Sequence, residues 1–231
     1  MASPRRIGSE TSRTRAVVLD AAERVMLQDG YAAVTYRSLA EGAGVTPGLV
    51  QYYFPTLDDM FLALLRRRSE QNHERLLAEL ERRVDEPLRI IWEFSSDETS
   101  AALLTEFMAL ANHRKVIQAA ILEVTQWTRE VQLQVLRARW EHYRDSSGGL
   151  SPEALLFLLH MIPKMVQLEE SFGMSTAHEE ILQAVEGRLN HVEPRPEPPS
   201  SGAGEKARAP VRARVGRSPG RRGAGPSGSG R

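Results

Sequence analysis

The 231-residue chain contains no cysteine. That excludes disulfides, thiolate metal ligands and a cysteine nucleophile, and nothing asks for an oxidising compartment. Aromatic residues are sparse, at 6%. No apolar run approaches the roughly 20 residues that a membrane-spanning helix needs. The opening MASPRRIGSETSRTR also lacks the apolar middle of a signal peptide, so the expected location is cytoplasmic. Histidines are few and scattered (His73, His113, His142, His160, His178, His191), with no H-E-x-x-H and no G-x-S-x-G pattern. An enzyme is not expected, nor is a metal or other cofactor. The one G-x-G-x-x-G match, GAGPSG near the C-terminus, follows no strand and precedes no helix, so it is an accident of composition.

What is present reads as all-α. Hydrophobic content of 41% and charge of 26% are ordinary for a globular chain. Apolar residues recur with the helical period, and no stretch alternates convincingly. Val18, Ala21, Ala22, Val25 and Met26 mark one face of a first helix that stops at Gly30. Thr35 is placed to cap a short second helix, and Thr46-Pro47 to start a third. A long helix follows PTLDDM and runs to about Val84, with Asp58 and Asp59 at its positive end. Five more helices fill the chain to residue 192, about nine in all.

Charge is unevenly spread. The net charge is zero, yet residues 193–231 carry nine Lys/Arg against three Glu, a balance of +6. Residues 1–60 come to −1 and residues 61–192 to −5. Arg5, Arg6, Arg13 and Arg15 make the N-terminal end locally basic, and anions suit such ends. Four regions follow: a flexible basic arm (1–12), a helix-turn-helix domain (13–56), a larger helical domain (57–192) and a disordered Pro/Gly/Arg-rich tail (193–231).

The stretch AGVTPGLVQYYF is the most informative. Gly44 can take the positive φ of a tight inter-helix turn. Val50, Tyr53 and Phe54 share the core face by their spacing, which puts Pro47, Gly48, Gln51 and Tyr52 on the opposite side. That outer face is small at its start and then offers an amide and a phenol, as a helix entering a major groove requires. Gln51 suits an adenine edge, Tyr52 a phosphate and Leu49 a thymine methyl.

These residues carry a resemblance. Gly30-Tyr31, Thr35, Arg37, Leu39-Ala40, Ala43-Gly44-Val45-Thr46, Gly48 and Tyr52-Tyr53-Phe54 match, at fixed spacings over about 45 residues, the N-terminal domain of the tetracycline-repressor (TetR) family of bacterial transcriptional regulators. The resemblance implies a homodimer reading a near-palindromic operator in double-stranded DNA, most often as a repressor released by a small-molecule effector. It places DNA contacts on Thr35, Tyr36, Arg37, Thr46, Pro47, Gly48, Leu49, Gln51, Tyr52 and Tyr53. Two positions depart from the family pattern: Gln51 stands where Tyr is usual, and Leu57 where a phosphate-binding Lys is common. A helical adaptor that docks protein rather than DNA is the alternative, and the near-neutral charge of residues 1–60 is its only support.

The larger domain is less explicit. The helix in SPEALLFLLHMIPKMVQLEESFG has two apolar faces, so it must be buried twice. One face is expected against the domain's own core and one against a partner subunit, with Leu155, Leu159, Ile162 and Val166 on the dimer side and Ile181, Leu182, Val185 and Leu189 joining from the last helix. In the resembling family these last two helices build a four-helix dimer interface. Trp92, Phe107, Met108, Trp127, Met161 and Met165 are candidates to line an effector pocket, with a hydrophobic or amphipathic effector preferred.

Overall fold

The computed structural model describes residues 13–194; the expected arm and nearly all of the expected tail lie outside the described residues. Ten α-helices follow one another: α1 (Arg13–Asp29), α2 (Tyr36–Ala43), α3 (Pro47–Tyr53), α4 (Leu57–Arg82), α5 (Pro87–Ser95), α6 (Glu98–Ala111), α7 (Lys115–Ala138), α8 (Trp140–Tyr143), α9 (Pro152–Ser171) and α10 (His178–Val192). Single 3₁₀ turns lie at Tyr31–Ala33 and Arg144–Ser146, and there is no strand among the described residues. The helix beyond the nine expected is α8, which arises because the chain leaves helical geometry at Arg139 (φ −112°, ψ 12°) and restarts.

The helix starts follow local chemistry. At α2, the Thr35 hydroxyl accepts from the Ser38 amide (3.0 Å) while the Ser38 hydroxyl accepts from the Thr35 amide (2.9 Å), a reciprocal cap. Thr56 and Asp59 repeat the device at α4. Gly44 ends α2 in the left-handed region (φ 66°, ψ 34°), where a side chain would be strained.

Two cores result. The first gathers Val18, Leu19, Leu39, Val50 and Phe54 from the N-terminal bundle together with Phe61 and Leu64 of α4, Leu103 and Phe107 of α6, and Ile117 of α7. The break expected at residue 56 therefore joins elements that share one interior. The second core packs Leu88, Ile91 and Trp92 of α5 against Leu133 and Leu136 of α7, Tyr143, Leu156, Leu159, Leu189 and Val192.

Glu193 was expected to open the tail, yet it is 2% exposed. Its carboxylate accepts from the Leu88 and Arg89 amides, both at 2.9 Å, and from the Tyr143 hydroxyl at 2.7 Å. It thus satisfies the first turn of α5, whose preceding residue Glu86 makes no side-chain cap. Burial, and next the hydrogen bond to Glu193, push the Tyr143 phenol far up, so it stays a donor. The Arg89 guanidinium, 1% exposed, meets the Asn190 side chain (2.9 Å) and the Glu193 carbonyl (3.2 Å), closing α10 onto α5. A chain ended after Pro194 should match the full chain in urea denaturation, whereas one ended after Val192 should lose about 3 kcal/mol or more, because buried donors are left unpaired.

Candidate nucleic-acid interface

Helix α3 has seven residues, too short to persist alone in water. It is held from one side: Val50 is fully buried, Phe54 just beyond its end is 1% exposed, and Tyr53 is half-buried. The Thr46 hydroxyl accepts from the Leu49 amide (3.3 Å), and Pro47 occupies the first helical position. The Tyr36 hydroxyl donates to the Pro55 carbonyl (2.8 Å) and to that of Phe54 (3.2 Å), fastening the end of α3 to the start of α2. The Arg15 guanidinium lies over the Phe54 ring at 5.1 Å.

With one side fixed, the other faces out. Thr46, Pro47, Gly48, Leu49, Gln51 and Tyr52 are all exposed and contiguous, with Tyr52 edge-on to Tyr53 at 5.3 Å. Thr35 and Arg37 at the start of α2 are exposed as well, and Arg37 makes no ion pair among the described residues. A Cβ added at Gly48 would meet nothing within 4 Å, so the fold itself does not require glycine there. The single hydroxyl hydrogen of Tyr36 is given to backbone carbonyls, so this phenol positions the end of α3. Leu57, at the position of the missing Lys, packs against the first core.

Behind this bundle a cavity of about 210 Å³ lies among α4, α5, α6, α7 and α9. Its apolar wall includes Leu65, Leu76, Leu103, Leu104 and Phe107. Of the six expected pocket residues, only Phe107 lines it. Trp92 is buried in the second core, its indole N–H donating to Glu186 (3.2 Å). Met108 and Met165 are more than half exposed, and Met161 lies on the same outer side of α9 as Met165. Trp127 stacks on the His73 ring at 3.7 Å and leaves the lining to His73. The periodicity located these stripes but not the side they face.

The sequence reading missed the polar members of the cavity: His160, Lys164, Arg129, Gln132 and His73. Burial, then Lys164 and Arg129, push the His160 imidazole down to about 4. Burial and Arg129 push the Lys164 ammonium down. The available signal was His160 and Lys164, four apart and the only polar residues between positions 154 and 166 of α9.

The expected dimer residues divide by burial. Leu159, Val166 and Leu189 are buried within the protomer, Leu155, Ile162, Leu182 and Val185 pack half-buried against the second core, and Ile181 is 39% exposed. The outward stripe of α9 is Phe157 (52% exposed), Met165 (52%) and Leu168 (40%), continued by Phe172 (71%).

Comparison with known proteins agrees with this geometry. The profile of bacterial regulatory proteins of the tetR family matches residues 18–64. The HTH-type transcriptional repressor AcnR of Corynebacterium glutamicum is 27% identical over 180 residues, covering 69% of this chain and 96% of that protein. The HTH-type transcriptional repressor BepR of Brucella suis is 26% identical over 186 residues, covering 80% and 83%. Among solved structures, a TetR-family member from Streptomyces coelicolor superposes with a TM-score of 0.55 at 27% identity, covering 80% of this chain and all (100%) of that one. The fold and its exposed third helix define a DNA-binding transcriptional regulator whose helical body holds a ligand-sized cavity. Residues 18–64 form a DNA-binding domain of the bacterial regulatory proteins of the tetR family, and the chain is similar over most of its length to TetR-family regulators.

Two measurements bear on the interface. Gln51→Ala should relax base preference at one position, costing about 1–3 kcal/mol of discrimination. Gly48→Ala should melt no lower than the parent yet bind DNA about tenfold more weakly, read by fluorescence anisotropy. A separate expectation follows from His160. Its folded pKa is depressed, so the unfolded chain takes up the proton first, and stability falls as pH drops from about 6.5 toward about 4. In urea melts over that range, His160→Asn should shrink the fall.

Proposed function

We propose that the protein is a homodimeric repressor that reads a near-palindromic operator through the outer face of α3 and leaves it when a small molecule fills the cavity. The observation that carries this reading is the row Thr46 to Leu49, Gln51 and Tyr52, exposed on a helix whose other side is buried. Paired α3 helices would meet half-sites about 34–36 Å apart, or a multiple of that.

The cavity is well placed to act on the bundle. Arg68 of α4 lines the cavity and lies 3.7 Å from Glu23 of α1, beside Arg67, which pairs with both Asp20 (2.6 Å) and Glu23 (3.2 Å). Helix α6 lines the cavity through Leu103 and Phe107, while its Glu106 carboxylate accepts from the Tyr31 amide (2.7 Å) at the corner after α1. A ligand that moves α4 and α6 therefore moves α1. Coupling of this kind amounts to ~1–3 kcal/mol.

The apolar stripe on α9 supports association of two copies, since an exposed contiguous patch of this kind marks an interaction surface. Phe157→Arg with Leu168→Arg should shift sedimentation toward the monomer and weaken operator binding without a large loss of protomer stability. Leu159→Ala should instead destabilise the protomer by about 2–5 kcal/mol, because that residue is core. The regulator reading is tested by gel retardation with the DNA upstream of the chain's own gene across a salt series. Salt-sensitive, sequence-selective retardation is expected; none at any salt would reject the reading in favour of a protein-docking helix-turn-helix.

A further inference from the structure

The charges inside the cavity are one-sided. At its α4–α6 end the Asp97 carboxylate is committed to capping α6, accepting from the Ser100 amide at 2.8 Å, and it lies near Arg68 and Arg75. At the α7–α9 end stand Lys164 and Arg129, with His160 one helical turn before Lys164. Neither Lys164 nor Arg129 has an ion pair or hydrogen bond among the described residues, and no carboxylate lines that end. Gln132, 2% exposed, lines the same wall with its side-chain oxygen unpartnered. Turned about its last bond, that amide offers two N–H donors in its place. The rest of the lining joins the leucines and Phe107 already described to Phe94 and Val124, with Asn72, His73 and the hydroxyls of Thr125 and Thr128 among its polar groups.

Lys164, half-buried in this recess without a counter-charge, is costly for the empty protein, while Arg129, exposed, stands at its mouth. Such a site favours a ligand that brings the missing negative charge and covers the apolar wall with the rest of its body. We propose that this cavity takes a small amphipathic carboxylic acid, its carboxylate between Lys164 and Arg129 and beside Gln132, its hydrocarbon part against Leu65, Leu76, Leu103 and Phe107. The inference names the ligand class for the ligand-responsive reading above and rests on it for its regulatory consequence. His160, neutral near pH 7, is left to donate one hydrogen bond to the acid without adding charge. Filling the cavity presses on Phe107 and Leu65, which belong to the first core as well.

The test uses the full chain, with octanoate and benzoate as probes, their amides as neutral partners, and octylamine and benzylamine as cations. Binding is read by titration calorimetry without DNA, and release by anisotropy with operator DNA. Each acid should bind at least tenfold more tightly than its amide, and the amines should not bind. Lys164→Met should abolish the preference of acid over amide while raising the melting temperature of the empty protein, because an unpaired, desolvated cation has gone. Arg129→Gln should reduce the preference with little effect on melting. Amides or amines binding as tightly as the acids, an unchanged ratio in Lys164→Met, or no binding by either acid would each overturn the assignment. If amides or amines bind and release the DNA while the acids do not, the anion assignment falls and the regulator reading stands. Acids that bind by the Lys164-dependent preference without releasing DNA leave the assignment in place and remove the effector role.

Discussion

One packed wall serves two purposes here. Phe107 stands edge-to-face with Phe61 at 6.5 Å inside the first core, and it also forms part of the cavity lining. Leu65 and Leu103 are shared in the same way. Close-packed interiors transmit displacement because they have little free volume to absorb it. A side chain that cannot yield toward Phe61 must move its helix, and α6 and α4 are the helices that hold α1 through Glu106, Arg67 and Arg68. The interior that stabilises the DNA-reading bundle is therefore the same material that a ligand would touch.

The recognition helix illustrates how little holding such an element needs. One buried valine, a phenylalanine at its end, a threonine cap and a clamping tyrosine fix seven residues. Apart from these and the half-buried Tyr53, which packs against the first core, the residues of α3 are released from structural duty. Its composition can answer to a partner, which is why an internally unneeded glycine sits at position 48.

Much of this was legible beforehand because it is local. The caps at Thr35 and Thr46, the positive-φ turn at Gly44 and the outward set on α3 all follow from neighbours within four residues. The misses are long-range. Tyr36 meets Pro55 across nineteen positions, and Glu193 reaches Leu88 across 105; no spacing rule announces either. On α9 both faces were visible as apolar, but two equally apolar stripes give no sign of which one turns inward. The core took Leu156, Leu159 and Val166, leaving Phe157 and Met165 outside. Nothing in the sequence singles out Lys164 and Arg129, because a lone cation on a helix is usually a solvated residue. Only the packing of α7 against α9 brings them to one recess.

The seam between α1 and α4 is made of partly exposed ion pairs, with Arg67 spanning Asp20 and Glu23. Such pairs weaken as the Debye length shortens. Added electrolyte thus acts on this molecule twice, once on attraction to a charged polymer and once on the ion pairs that tie α1 to α4. A plot of log affinity against log ionic strength will consequently slope more steeply than the tally of neutralised charges alone would give, and the surplus reports on those pairs.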